Sequence, residues 1–207
     1  MATVPTETSL VLGLEHNGIC MTTDEFDAIT EYDDLYKYQL IHGVVVVNPI
    51  PLAQERGPNQ ELGHQLLKYK ESHPQGRALD DTLEEEYVRT AESRRRADRV
   101  IWTGLGRQPN LETDVPAIVV EFVSAGRRSW KRDYIEKRDE YLPLGVIEYW
   151  VINLFERTMT VFRRQGSDEA VQQVISEQEI YHCVLLPGFE LAIAGLFAVA
   201  DRWESHR

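Results

Sequence analysis

The sequence predicts an α/β protein in which one mixed β-sheet lies between helices. Three observations carry this. Residues 117–123, AIVVEFV, are apolar throughout except for Glu121, as a central strand covered on both faces reads. Residues 146–152, VIEYWVI, form a second buried-looking strand, and 158–163 can pair with it across a turn. Segments of helical period, 58–72 and 129–142, alternate with these strands.

The remaining elements follow in chain order. Residues 1–20 are the least patterned and read as a loose N-terminal arm ahead of one domain over 21–207. Thr22 and Glu25 have the capping-box spacing, so a short helix is expected, with Phe26, Ile29 and Leu35 turned inward. Residues 38–48 are rich in β-branched side chains around Gly43, a hairpin or bulged strand that ends at Pro49-Ile50-Pro51. In 58–72 the apolar positions are Leu62, Leu66, Leu67 and Tyr69. Pro58 suits the first turn there, and Pro74 with Gly76 stops the helix.

Strands are expected over 85–89 and 97–103, then a Gly- and Pro-rich loop over 104–116. The helix over 129–142 points Tyr134, Tyr141 and Leu142 inward and stops at Pro143 and Gly145. Tyr149 and Trp150 should pack in the core, with Glu148 facing out. The tail offers a strand near 183–185, a Pro187-Gly188 turn and a final helix over 193–203.

Composition narrows the function. At 207 residues the chain can bury a sizeable core, and no linker, repeat or low-complexity tract divides it. No apolar run approaches the roughly 20 residues that span a bilayer, so no membrane partner is expected. No basic segment precedes Leu10-Val11-Leu12, which argues against a secretory signal. Cys20 and Cys183 are far apart and lack metal-ligand spacing, so two reduced thiols in a cytoplasmic protein are expected.

The net charge of -12 is acidic for a protein that grips phosphate. The basic residues are clustered, however. Arg127, Arg128, Lys131, Arg132, Lys137 and Arg138 face only Asp133 and Glu136, and a second run is Arg94-Arg95-Arg96. Each run reads equally as a solvated face.

A carboxylate in so apolar a strand as that of Glu121 is costly unless it lies at the strand's exposed end, is paired, or binds a cation. Asp98, just before Val100-Ile101, reads by itself as a turn former. Together, two carboxylates on adjacent strands can bind Mg²⁺ or Mn²⁺ through oxygen. Such an ion activates water and offsets charge on a phosphodiester, and a nearby lysine would orient or deprotonate that water. Other chemistries find no support: Ser124 lies near Gly126 without a GxSxG elbow, and Gly104-Leu105-Gly106 does not continue as a dinucleotide fingerprint.

From about residue 38 to 197 the sequence resembles the bacterial family of restriction endonuclease domain proteins in the PD-(D/E)xK superfamily. The stretches that carry the likeness are YQLIHG (38–43), RAD (96–98), AIVVEFVS (117–124), 133–141 with Lys137 inside it, GVIEYWV (145–151) and LPGFEL (186–191). The resemblance implies a restriction-endonuclease-like core with Asp98, Glu121 and Lys137 as the catalytic set, Asp98 and Glu121 being the metal ligands.

It also implies that the lysine has moved from the position two after the Glu, here Val123, to the following helix. There Asp133, Lys137 and Tyr141 are spaced to share one face, though Asp133 and Lys137 could equally be an ordinary exposed ion pair. Arg127, Arg128 and Arg132 are the candidates for substrate phosphate. The family usually has Pro where Ala97 stands, and often a His where Pro58-Asn59-Gln60 stands. Asn59 is the polar contact expected in its place. In the same helix, Glu61 is a candidate third carboxylate, whereas His64 reads as a surface or packing residue.

The implied activity is Mg²⁺- or Mn²⁺-dependent hydrolysis of nucleic acid, with DNA as the expected substrate and a homodimer as a plausible assembly. The rival reading is a catalytically silent module of the same fold that binds nucleic acid or a protein. The three retained groups favour the first, and the acidic net charge favours the second.

Overall fold

The computed structural model describes residues 10–123, 130–166 and 169–204. The chain divides into two units, 1–50 with 89–96, and 51–88 with 97–207.

In the first unit, strand β1 (Val11–Leu12) pairs in parallel with β2 (Glu31–Tyr32). Residues 1–9 of the expected loose arm lie outside the described residues, whereas Leu12 in β1 is wholly buried. Helix α1 (Thr23–Asp27) starts as its capping box requires: Thr22 Oγ1 accepts from the Glu25 amide, and Glu25 accepts from the Thr22 amide. Phe26 and Ile29 are buried, but Leu35 is 68% exposed and does not turn inward. Strands β3 (Tyr36–Ile41) and β4 (Val44–Pro49) form the expected hairpin. His42 and Gly43, both at positive φ, make its two-residue turn.

In the second unit, helix α2 (Ala53–Ser72) leads to β5 (Leu79–Arg89) and β6 (Arg94–Thr103), whose Arg89 and Arg94–Arg96 ends belong to the first unit. Next come β7 (Ile118–Phe122), a π-helical turn at Arg132–Glu136 and helix α3 (Lys137–Leu144). Strands β8 (Glu148–Asn153), β9 (Thr158–Gln165) and β10 (Glu169–Ser176) follow. A short hairpin, β11 (Ile180–His182) with β12 (Glu190–Ala192), precedes helix α4 (Ile193–Glu204). The sheet runs β10-β9-β8-β7-β6, with β5 also on β6. It is mixed: β7 and β8 are parallel, joined through the helix between them, and the neighbours on either side are antiparallel.

Side chains on β7 alternate between two apolar layers. Ile118, Val120 and Phe122 pack with Leu62 and Leu66 of α2 and Leu196 and Phe197 of α4. Val119 lies on the other face, with Val123, beside Tyr141 and Leu142 of α3. Both faces of this strand are therefore covered, as its composition predicted.

Several expectations fail where packing overrides local signals. Helix α2 begins at Ala53, five residues before Pro58, which sits inside it. A Cβ on Gly57 would stand 2.8 Å from Trp203 Nε1 and 3.0 Å from a Val199 methyl. Close approach of α4 therefore holds the early turn in place despite the missing amide at Pro58. Leu67 of this helix is 46% exposed rather than inward. Helix α3 continues through Pro143 and ends at Gly145, whose φ of 125° no other residue adopts readily.

In the tail, the strand lies at Ile180–His182, ahead of the expected 183–185, because its partner is Glu190–Ala192 across the Pro187-Gly188 turn. Strand β10, with Gln172 and Gln173 at its centre, carried no clear strand pattern. It pairs along its whole length with β9 at the sheet edge, where one face needs no apolar cover.

Candidate active site

Glu121 lies on β7 with the face parity of Val119 and Val123, so its carboxylate points at the helix that follows. It is 3% exposed, and so does not emerge from an exposed strand end. Lys137 Nζ stands 2.6 Å from Glu121 Oε2 and 3.4 Å from Asp133 Oδ1. The Tyr141 hydroxyl reaches Glu121 Oε1 at 3.4 Å. Asp133 and Tyr141 are wholly buried and Lys137 is 3% exposed, so Asp133 and Lys137 are not a surface ion pair.

The π turn contributes to this placement. The Lys137 amide bonds to the Arg132 carbonyl, five residues back, and Asp133 sits within the widened turn. The Tyr149 hydroxyl donates to the Asp133 carbonyl at 2.8 Å and fixes the turn against β8.

Asp98 stands next to Glu121 for a reason of register. On β6 and β7 the pairs are Ile101 with Ile118, Val100 with Val119 and Arg99 with Val120, so the next position would set Asp98 opposite Glu121. There Asp98 Oδ2 accepts the Phe122 amide at 2.7 Å. Asn59 reaches the same residue from α2, its amide Nδ2 donating to the Asp98 carbonyl at 2.7 Å.

The electrostatics follow from this crowding. Burial raises the Glu121 carboxyl to about 8, with Lys137 opposing the shift and the charges of Asp98 and Asp133 adding to it. Around Glu121 the carboxylates of Asp98 and Asp133 gather with the cations Lys137 and Arg132. The hard oxygen donors on Asp98 and Glu121 suit a divalent cation. Among the described residues no group of three or more His, Cys, Asp and Glu is arranged to hold a metal. An ion on these two carboxylates would keep most of its shell as water, as Mg²⁺ does.

Other candidates are placed differently. Arg132, expected at substrate phosphate, is committed to Asp133, with Nε and one terminal nitrogen at 2.8 and 3.0 Å from its two oxygens. Burial works against its charge, but the hydrogen bond and charge of Asp133 outweigh it and raise its pKa. Lys131 pairs with Glu136 and Arg138 with Asp139, so this basic run is largely neutralised from within. Arg127 and Arg128, like Ser124, lie outside the described residues.

In the Arg94-Arg95-Arg96 run, Arg94 clasps Asp27 and Arg95 is 1% exposed, so neither is presented to a phosphate. Glu61 does not approach the carboxylates. It accepts from Gln65 and, with Gln60 and His64, lines a cavity beside Arg202 and Trp203 of α4.

Sequence reasoning also misplaced Glu148. It is wholly buried, on the opposite face of the sheet, where Arg163, Trp150 and Tyr181 donate to it at 2.7–2.8 Å. Strand parity with Trp150 was the available signal. Tyr149 and Trp150 are both buried as expected, Tyr149 on the Glu121 side and Trp150 with Glu148. Arg99, which no motif singled out, is buried beneath α2 and bonded to Asn59.

A mixed sheet flanked by helices, with two acidic strand residues and a helix lysine gathered on one face, is a restriction-endonuclease-like arrangement. The chain belongs to the Uma2 family, described as putative restriction endonuclease, whose pattern matches residues 23–194. Its fold is similar to the crystal structure of a putative nuclease belonging to DUF820 from Anabaena variabilis. That likeness has a TM-score of 0.67 at 15% sequence identity and covers 87% of this chain and 99% of the other. No curated protein matches the chain in sequence. Among the described residues, no helix is long and apolar enough to cross a membrane.

Proposed function

We propose that the protein is a divalent-metal-dependent endonuclease that hydrolyses phosphodiester bonds in DNA, with Asp98 and Glu121 as metal ligands and Lys137 as the third catalytic group. The observation that carries this reading is the buried 2.6 Å contact between Lys137 and Glu121, on the sheet face that also holds Asp98. Mg²⁺ or Mn²⁺ on the two carboxylates would supply an acidified water and offset charge on the phosphate.

The protein's own groups do the rest. Glu121 must release its proton before it can ligate, and Lys137 favours that release by stabilising the carboxylate. The Lys137 ammonium would orient an attacking water and offset negative charge that grows on phosphate oxygens. Asp133 also contacts the ammonium, and Tyr141 reaches the second carboxylate oxygen.

Arg127 and Arg128 are the cations proposed for the DNA backbone. A homodimer would present one site to each strand of a duplex. Two free cysteines suit a reducing compartment, which fits action in the cytoplasm. A second reading, a silent module that binds nucleic acid or protein, is favoured by the net charge of -12 and by the internal pairing of Lys131, Arg132 and Arg138.

Calorimetric titration of Mn²⁺ into the wild type and into Glu121→Ala separates the two. A one-site isotherm that the substitution abolishes supports the metal site. DNA cleavage that depends on the ion and is lost in Lys137→Ala then supports the enzyme. Absent or unchanged Mn²⁺ binding would leave the silent module.

A further inference from the structure

Beneath the candidate metal ligands lies a buried polar cluster with no contact to substrate in any reading above. Arg99 follows Asp98 on β6, and strand alternation turns it to the opposite side, under α2. It is 5% exposed. Its Nε donates to Asn59 Oδ1 at 2.8 Å, one terminal nitrogen donates to the Asn59 carbonyl at 3.0 Å, and the other donates to Thr82 Oγ1 at 3.1 Å. The Thr82 hydroxyl passes the chain on to the Val100 carbonyl at 2.9 Å. The exposed Glu84 carboxylate stands 3.7 Å from the guanidinium and provides its counter-charge.

Space for this cation is specific. A Cβ on Gly63 would lie 2.5 Å from a terminal nitrogen of Arg99, so a side chain at that position of α2 would push the guanidinium aside. A guanidinium has donors only, so Asn59 must offer it Oδ1 and thereby turns Nδ2 away. Nδ2 meets the Asp98 carbonyl at 2.7 Å. Asp98 is thus gripped through its peptide by Asn59 and through its carboxylate by the Phe122 amide.

We infer that Asn59 is a positioning residue: anchored by Arg99, it holds the Asp98 peptide so that the Asp98 carboxylate stays beside Glu121 to share a divalent cation. This rests on the metal-site reading and adds to it a residue that touches neither metal nor substrate. Asn59 is 5% exposed, so the polar contact expected at its place in the sequence is made inside the protein.

Asn59→Asp tests the inference cleanly. It keeps an oxygen for Arg99 but sets an acceptor against the Asp98 carbonyl in place of a donor. Outer partners of metal ligands typically contribute 10- to 100-fold to affinity. The expected result is therefore Mn²⁺ binding about tenfold weaker by calorimetry, with an altered electron paramagnetic resonance spectrum of bound Mn²⁺ and an unchanged circular dichroism spectrum. Gly63→Ala, which displaces Arg99 without touching Asn59, should weaken Mn²⁺ in the same direction and serves if Asn59→Asp does not fold.

Wild-type affinity and spectrum in a folded variant would overturn the positioning role while leaving the metal site standing, provided Glu121→Ala still abolishes binding. No Mn²⁺ binding by the wild type would overturn both.

Discussion

Two buried carboxylates on neighbouring strands, Glu121 on β7 and Glu148 on β8, face opposite sides of one sheet and are treated differently by the fold. Glu148 is saturated. Arg163 and three further donors, from Trp150, Tyr181 and Cys183, surround its two oxygens. Burial drives the Cys183 thiol up to about 12, with the Glu148 charge adding to the shift, so that sulfur stays protonated and unreactive. Glu121 has one close cation and one long hydrogen bond, and two further carboxylates crowd it. A saturated buried charge is structural. An undersaturated one among like charges is what the proposed metal site would use.

The contrast can be broken experimentally, most severely at Glu148. Glu148→Ala strands Arg163, Trp150 and Tyr181 and should cost about 3 kcal/mol, the low end for a broken buried pair because Arg163 is partly exposed. The urea midpoint measures this, and a loss below about 1 kcal/mol would erase the distinction between the two sites. Lys137→Ala should reduce cleavage at least about 100-fold, roughly 2.7 kcal/mol of barrier, while Mn²⁺ still binds. If Mn²⁺ binding vanished as well, Lys137 would be organising the site rather than acting in the reaction.

A third effect depends on pH. The folded-state pKa of Glu121 is raised above its unfolded value, so its contribution to stability is full below the ordinary carboxylate range and is lost as pH rises through about 8. Metal-free wild type should therefore lose stability relative to Glu121→Gln between about pH 4.5 and 8, at no more than about 1.4 kcal/mol per pH unit. Mn²⁺ should close that gap. A pH-independent gap would mean that Glu121 is already fully compensated by its neighbours.

The smallest effect is expected at Arg132. If DNA binds, Arg132→Ala should change the slope of log affinity against log salt by clearly less than about 1, because Asp133 already occupies its guanidinium. A full unit at Arg132 would show that DNA displaces Asp133.

Much of this was legible in the residues. Glu121 stood out because a charge in AIVVEFV needs a partner, and the capping box at Thr22 and the hairpin at Gly43 formed as their spacing required. Misreadings arose where a distant element decides. Pro58 and Pro143 read as helix boundaries, but α2 runs through Pro58 where α4 packs closely against Gly57, and α3 runs on to Gly145. Glu148 read as outward because its four donors lie between 2 and 35 residues away along the chain.

Local chemistry by itself determined the alternation of the main helices with the strands from β3 to β9, the central place of β7 and the identity of the acidic and basic groups, since these depend on periodicity and turn residues within a few positions. Tertiary structure alone decided which of those groups meet. The β6–β7 register brings Asp98 to Glu121, the π turn brings Lys137 to both Glu121 and Asp133, and a guanidinium beneath α2 turns Asn59 toward Asp98. Residues 20 to 40 positions apart acquire their chemistry only when packing removes water from between them, because only then do one hydrogen bond and one missing Cβ decide which oxygen faces which cation.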